Sequence, residues 1–305
     1  MMRPLLVTLR EDEPLAEPLA KAIGGEFSQL QIRKFPDGET YLRYATSPEG
    51  RPVAILCSLD RPDKKFLPLL FAAGTARDLG AASIGLISPY LAYMRQDKRF
   101  RPGEAVTSTC FAEVLSRQID WLVTVDPHLH RRRALSEIYA VPALALHAAP
   151  LIAAWIRETV DRPLLIGPDA ESEQWVSAVA RDANAPHLVL EKNRHGDRDV
   201  EVSVPEVERW RGHTPVLVDD IVSTARTMIE TVGHVMHAGM QPPTCVAVHG
   251  LFADKAYPEL LAAGARQVVT TNTIAHESNA IDISGLLAEG IKRITMESNG
   301  GALDR

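Results

Sequence analysis

Apolar residues follow two rhythms along this chain. Runs at 52–57 (Pro-Val-Ala-Ile-Leu-Cys), 83–88 and 121–126 are almost unbroken, as in strands buried on both faces. Between them, Phe66, Leu69, Leu70, Ala73, Ala76 and Leu79 recur at helical spacing and predict a helix over 66–79. A second helix is expected over 107–119, and Pro89 stops the strand before it. The opening residues 1–10 are too short an apolar run, and too soon polar, for a leader peptide, and read as a first strand. The second half repeats the alternation. Strands are expected at 163–167, 216–220, 245–249 and 267–270, with helices at 171–183 and 227–238. Strand alternating with helix predicts an α/β fold with mainly parallel sheets flanked by helices.

The halves echo one another. Val123-Thr124-Val125-Asp126 and Val216-Leu217-Val218-Asp219 are both apolar runs ending in acid. This suggests two related domains, joined near 139–149. The length of 305 residues suits about two domains. The polar stretch 191–200 reads as a mobile loop.

Composition narrows the function. No apolar run approaches the roughly 20 residues of a membrane helix, so no membrane partner is expected. The three cysteines, Cys57, Cys110 and Cys245, are far apart in apolar surroundings and read as reduced core residues of a cytoplasmic protein. A net charge of -6 argues against a nucleic-acid partner. It leaves room for an anionic small substrate in a locally basic cleft.

The strongest chemical signal is Asp219-Asp220-Ile221-Val222-Ser223-Thr224-Ala225-Arg226-Thr227. Ligands of open α/β sheets bind beyond the carboxyl ends of strands. Two carboxylates there can accept from vicinal hydroxyls or hold a hydrated cation. The hydroxyls that follow, at a helix start, suit a phosphate. Any one of these features alone would be an ordinary turn; together they indicate a phosphorylated ribose.

Residues 216–228 resemble the phosphoribosyl diphosphate (PRPP) motif of phosphoribosyltransferases and ribose-phosphate diphosphokinases. Four further segments resemble the diphosphokinases specifically: Phe35-Pro36-Asp37-Gly38-Glu39, Tyr93-Met94-Arg95-Gln96-Asp97-Lys98-Arg99, Val125-Asp126-Pro127-His128 in an archaeal-like form, and Gly167-Pro168-Asp169. The resemblance implies two phosphoribosyltransferase-type domains, 1–145 and 146–305, with the last about 20 residues packing on the first domain. It implies transfer of the diphosphoryl group of ATP to O1 of ribose 5-phosphate, giving PRPP and AMP for nucleotide biosynthesis.

The implied roles are as follows. Phe35, Asp37, Glu39, Arg95, Gln96 and Asp97 bind ATP. Asp219, Asp220, Ser223, Thr224, Ala225, Arg226 and Thr227 bind ribose 5-phosphate. His128 and Asp169 contact Mg²⁺, with His130 a weaker candidate. Lys192 and Arg194 are the catalytic cations on the 191–200 loop. The resemblance also implies a homo-oligomer, built from dimers and extending to a hexamer, with the nucleotide site shared between subunits.

Two departures stand out. Glycines are usual in that family where Ala225 and Arg226 stand, and small glycines are usual near Glu171-Ser172-Glu173. A Cβ restricts positive φ and close backbone approach. The alternatives are therefore a catalytically weak nucleotide-binding regulator, or an enzyme acting on a variant sugar phosphate. The triple Arg131-Arg132-Arg133 reads as a solvated helix start or a subunit contact.

Overall fold

A computed structural model describes residues 2–9, 13–129, 131–168, 172–194, 200–203 and 207–300. The chain divides into two compact units. One runs from the start of the chain to Leu146 and takes in the residues from Ser284 on; the other is His147–Ile283. Among the described residues no helix is long and apolar enough to cross a membrane.

The first unit contains β1 (Leu5–Thr8), α1 (Ala16–Ala22), β2 (Glu26–Lys34), β3 (Thr40–Tyr44), β4 (Pro52–Leu56), α2 (Asp63–Asp78), β5 (Ser83–Ser88), α3 (Thr107–Ser116), β6 (Trp121–Val125) and β7 (Ala143–Leu146). Its sheet has the order β3-β2-β1-β4-β5-β6-β7. All neighbours are parallel except β2 and β3, which form an antiparallel hairpin. The strands are apolar throughout because helices cover the sheet: every residue of β1 and β6 is buried. Gly85 makes room on β5 for the Trp121 ring, where an added Cβ would lie 1.9 Å from it.

The second unit contains α4 (Ala149–Thr159), β8 (Pro163–Gly167), α5 (Glu173–Ala183), β9 (His187–Val189), β10 (Glu191–Arg194), β11 (Val200–Ser203), α6 (Val207–Trp210), β12 (Thr214–Val222), α7 (Arg226–His237), β13 (Thr244–Gly250), α8 (Ala256–Ala262), β14 (Gln267–Thr271) and β15 (Asn279–Ile281). Its parallel sheet has the order β15-β14-β13-β12-β8-β9. The last helix, α9 (Ser284–Gly300), packs on α1, β6 and β7 of the first unit.

The two sheets share one topology. Each begins with a strand, places the next on one side, then crosses to the other side and adds strands outward. In the first unit β1, β2 and β4 do this; in the second β8, β9 and β12 do. Each also inserts an antiparallel hairpin before the crossing: β2–β3 in the first, β10–β11 in the second. The strand equivalent to β12 is therefore β4. The echo between 123–128 and 216–220 joins strands that are not equivalent.

Three expectations change. The acids at 219–220 lie inside β12, which runs on to Val222 because β13 pairs with it as far as Gly250. The 191–200 stretch is not simply a loop, since its start and end pair in the β10–β11 hairpin; residues 195–199 lie outside the described ones. Cys57 and Cys245 are buried, but Cys110 is exposed. The buried stripe of α3 is Ser108, Phe111, Ala112 and Leu115, and Cys110 falls off it.

Candidate functional site

In the second unit the strand order reverses between β8 and β12, the place where doubly wound sheets open a crevice. β8 pairs with β12 only as far as Leu217, so Asp219 and Asp220 extend past it. Both are half-buried, and the Asp219 carboxylate accepts from the backbone N–H of Asp220 at 2.9 Å.

The loop from β12 to α7 is braced from behind. The N–H groups of Leu251 and Phe252 both donate to the carbonyl of Val222, and Ala253 N–H donates to Ser223. Ala225 is buried and left-handed, with φ 57° and ψ 6°. That is the conformation in which glycine has no Cβ penalty. The backbone here thus has the shape a glycine would take, although the residue is alanine.

α7 starts immediately afterwards with no side-chain cap and no acid in its first turn. By contrast, α1, α2 and α5 carry Glu17, Asp63 and Glu173 there. A helix start with free N–H groups, no competing carboxylate and a cation is suited to an anion. Arg226, Thr224 and Thr227 are exposed at this start, and Ser223 is half-buried. Strand, loop and helix thus bring Asp219, Asp220 and Ser223 to Thr227 together in one continuous piece. Asp169, Ala170 and Glu171 lie outside the described residues. Glu173 opens α5, where an acid favours the helix.

Phe252 and Tyr257, from the bracing loop and α8, pack against His276, with Phe252–His276 ring centroids 4.5 Å apart. Burial lowers the His276 pKa, and Glu277 partly opposes this. Ser278 N–H donates to His276 Nδ1 at 3.1 Å. Sequence reasoning missed this brace because no motif marks it.

In the first unit, β1 covers β2 only as far as Gln29, and β3 pairs with β2 from Leu30 to Lys34. The hairpin therefore projects beyond the carboxyl end of β1. Phe35, Asp37 and Glu39 are exposed at its tip. The turn is closed by Gly38 N–H to Phe35 and Phe35 N–H to Glu39, and Gly38 has φ 93°. Asp37 Oδ1 accepts from Glu39 N–H. The Arg33 guanidinium lies 4.7 Å from the Phe35 ring centroid and 4.3 Å from that of Tyr41. Among the described residues no hydrogen bond or ion pair joins this tip to Arg95, Gln96 or Asp97.

Those three residues follow β5. Arg95 is exposed and Gln96 half-buried. Tyr93, left-handed at φ 60°, stacks on Phe111 and hydrogen-bonds Asp63. That bond, with burial and the charge of Asp63, pushes the Tyr93 pKa up to about 12. After β6, Asp126 takes φ 33°, and Asp126 and His128 are half-buried. His130 lies outside the described residues.

The expectation for the arginine triple changes. Arg131 bridges to Asp97, and Arg132 reaches the same loop. Neither is simply solvated. For the catalytic pair, the backbone of Lys192 pairs with Val202 and that of Arg194 with Val200. Their side chains lie outside what is described. No group of three or more His, Cys, Asp or Glu among the described residues is placed to hold a metal.

Comparison with known proteins agrees with this geometry. A family profile for the N-terminal domain of ribose phosphate pyrophosphokinase matches residues 5–118, and a phosphoribosyl transferase domain profile matches 134–283. The chain is 33% identical to a ribose-phosphate pyrophosphokinase of Sulfurisphaera tokodaii, covering 90% of this chain and 96% of that one. It is 30% identical to the corresponding protein of Methanothermobacter thermautotrophicus, covering 94% of this chain and 100% of that one. The crystal structure of phosphoribosylpyrophosphate synthetase from Mycobacterium smegmatis superposes with a TM-score of 0.83 at 25% identity, covering 97% of this chain and 100% of that one. The chain belongs to the ribose-phosphate pyrophosphokinase family.

Proposed function

We propose that this enzyme moves the β,γ-diphosphoryl group of ATP to O1 of ribose 5-phosphate, releasing AMP and forming PRPP. The observation that carries the reading is the β12–α7 segment. It has paired carboxylates on β12 past the end of its neighbour β8, and an uncapped, acid-free helix start beside Arg226. Asp219 and Asp220 accept from the ribose hydroxyls. The α7 start, Ser223, Thr224, Ala225, Arg226 and Thr227 hold the 5-phosphate. Phe35, Asp37, Glu39, Arg95 and Gln96 hold the nucleotide, with Asp97 in the same segment.

O1 attacks the β-phosphorus, and the bond from that phosphorus to the oxygen bridging it to the α-phosphate breaks. The bridging oxygen leaves on AMP, and the O1 proton passes to a phosphate oxygen or to Asp220. Catalysis of this type is mostly positioning and charge stabilisation. Lys192 and Arg194 supply the positive charge.

Mg²⁺ fits the residues present. It prefers oxygen ligands, keeps several waters and is commonly carried with substrate phosphates rather than held in an all-protein cage. His128 and Asp169 would contact it, and no preformed cluster of acids is needed. When bound, it supplies charge neutralisation on the polyphosphate.

The left-handed backbone of Ala225 supports a working 5-phosphate loop, because the chain keeps a glycine-like path despite its Cβ. The projecting hairpin tip supports a homo-oligomer in which Phe35 to Glu39 serve a neighbouring subunit's nucleotide site. Buried, well-separated Cys57 and Cys245 suit a reducing cytoplasm.

The test is incubation with ATP, ribose 5-phosphate and Mg²⁺, with AMP and PRPP identified as products. Absence of both at high enzyme concentration rejects the reading in favour of a regulatory homologue. Turnover only with another sugar phosphate corrects the acceptor.

A further inference from the structure

Arg131 and Arg132 have no place in the reaction described above, yet both turn toward the nucleotide segment. Arg131 Nη1 donates to both carboxylate oxygens of Asp97, at 3.0 and 3.3 Å. The Asp97 side chain is only 5% exposed, so removing Arg131 would leave a buried carboxylate without its ion-pair partner. Arg132 is half-buried. Its Nη2 is shared by the backbone carbonyl of Asp97 at 3.4 Å, Ser108 Oγ at 3.1 Å and Thr109 Oγ1 at 3.2 Å. Ser108 N–H in turn donates to the carbonyl of Gln96 at 3.3 Å.

Three pieces of the first unit meet at these two guanidinium groups: the loop carrying Arg95 to Asp97, the first turn of α3, and the loop after β6 that carries Asp126 and His128. Residues 89–106 contain no helix or strand of their own. Their path is held by a few backbone bonds, such as Leu59 N–H to Tyr90 and Ser108 N–H to Gln96, and by side-chain contacts of this kind. A guanidinium is suited to the task because its cation carries several N–H donors on a long stem, and here one nitrogen of each arginine meets two or more acceptors.

We infer that Arg131 and Arg132 are positioning residues that clasp the Arg95–Asp97 nucleotide segment to the His128 loop, and that Asp97 acts through this clasp rather than by touching ATP. The inference rests on the proposed function for which ligand the segment holds. It goes beyond that reading in assigning the triple arginine a role and in moving Asp97 from contact to support.

The test measures the affinity of a non-hydrolysable ATP analogue with Mg²⁺ by calorimetry, beside KM for each substrate and Tm. Arg131→Ala and Asp97→Asn should each weaken analogue binding and raise KM for ATP about tenfold or more, the scale of a hydrogen bond to a charged group. KM for ribose 5-phosphate should stay unchanged. The double variant should be no worse than the poorer single one, because both remove the same pair. Arg131→Lys should recover most of the affinity, since that site needs a cation. Arg132→Lys should recover part of it too, since all three acceptors meet the single nitrogen Nη2, whereas Arg132→Met, which keeps the stem and removes the donors, should not.

Additive losses, equal losses for both substrates, or unchanged analogue binding in folded variants would each overturn the clasp. The lysine variants keep the test decisive where an alanine variant fails to fold. If the wild type binds the analogue but makes no PRPP, the proposed function fails while the clasp is still judged on binding. If the wild type does not bind the analogue, both fail.

Discussion

Ala225 and Arg226 sit side by side in the phosphate loop and depart from the family pattern with different consequences. A left-handed alanine costs about 1–2 kcal/mol relative to glycine. Changing Ala225→Gly removes that strain but also removes a buried methyl, and it loosens the unfolded chain by about 0.4–1 kcal/mol. These terms nearly cancel, so chemical denaturation should show stability within about 1 kcal/mol of the wild type. KM for ribose 5-phosphate should also hold. Arg226 is exposed at the start of α7, and the proposed function gives it the 5-phosphate to hold. Arg226→Ala should raise KM for ribose 5-phosphate about tenfold through loss of a charge-assisted contact. Steady-state kinetics with ATP saturating would show this, and an unchanged KM would place the phosphate elsewhere. At this scale the strand–loop–helix that joins Asp219, Asp220 and Ser223 to Thr227 was legible because its residues are contiguous. The Arg131–Asp97 pair was not legible, because the two partners are 34 positions apart and nothing in either segment announces the other.

Elements were readable where apolar runs are unbroken. β5 and β8 begin and end where the pattern places them, since both are buried strands bounded by turn residues. The β2–β3 hairpin escaped because its apolar residues are scattered among polar ones and most positions are only half-buried, so no unbroken apolar run marks it. The brace behind the phosphate loop escaped too, and it makes a pH prediction. Unfolded, His276 takes up a proton near its ordinary pKa of 6.5; folded, burial holds the value lower. Between those two values the unfolded state binds more protons, so stability falls as pH drops below 6.5 toward the folded value. Protonation would also make Nδ1 a donor and so lose the bond it accepts from Ser278 N–H. Thermal melts at about pH 7.5 and about pH 5.5 should show a larger loss of Tm for the wild type than for His276→Gln. Equal losses would mean that His276 does not titrate against folding in this range.

At the scale of the whole chain, two units with one topology have come to carry different segments in equivalent hairpins. The tip of β2–β3 presents an aromatic and two acids; β10–β11 presents Lys192 and Arg194. A duplication of this kind is visible in the order of strands and nearly invisible in residue identity, which is why the apparent echo in the sequence joined the wrong pair. The chain then returns to its beginning. α9 lies on α1, β6 and β7, and it buries Leu287, Ile291 and Ile294 almost completely. Gly290 permits close approach, since a Cβ there would come within 2.7 Å of Leu146. Each fully buried aliphatic side chain contributes about 1.5–3 kcal/mol. Three of them amount to a large share of the roughly 5–15 kcal/mol by which a domain is stable. A chain shortened to end at Ile283 should therefore lose the first unit's cooperative melting transition while the second unit's persists. The nucleotide segment and the His128 loop belong to the first unit, so analogue binding should be lost with it. Calorimetry of the shortened chain that showed both transitions at their original temperatures would mean that α9 is an appendage and that the first sheet is closed without it.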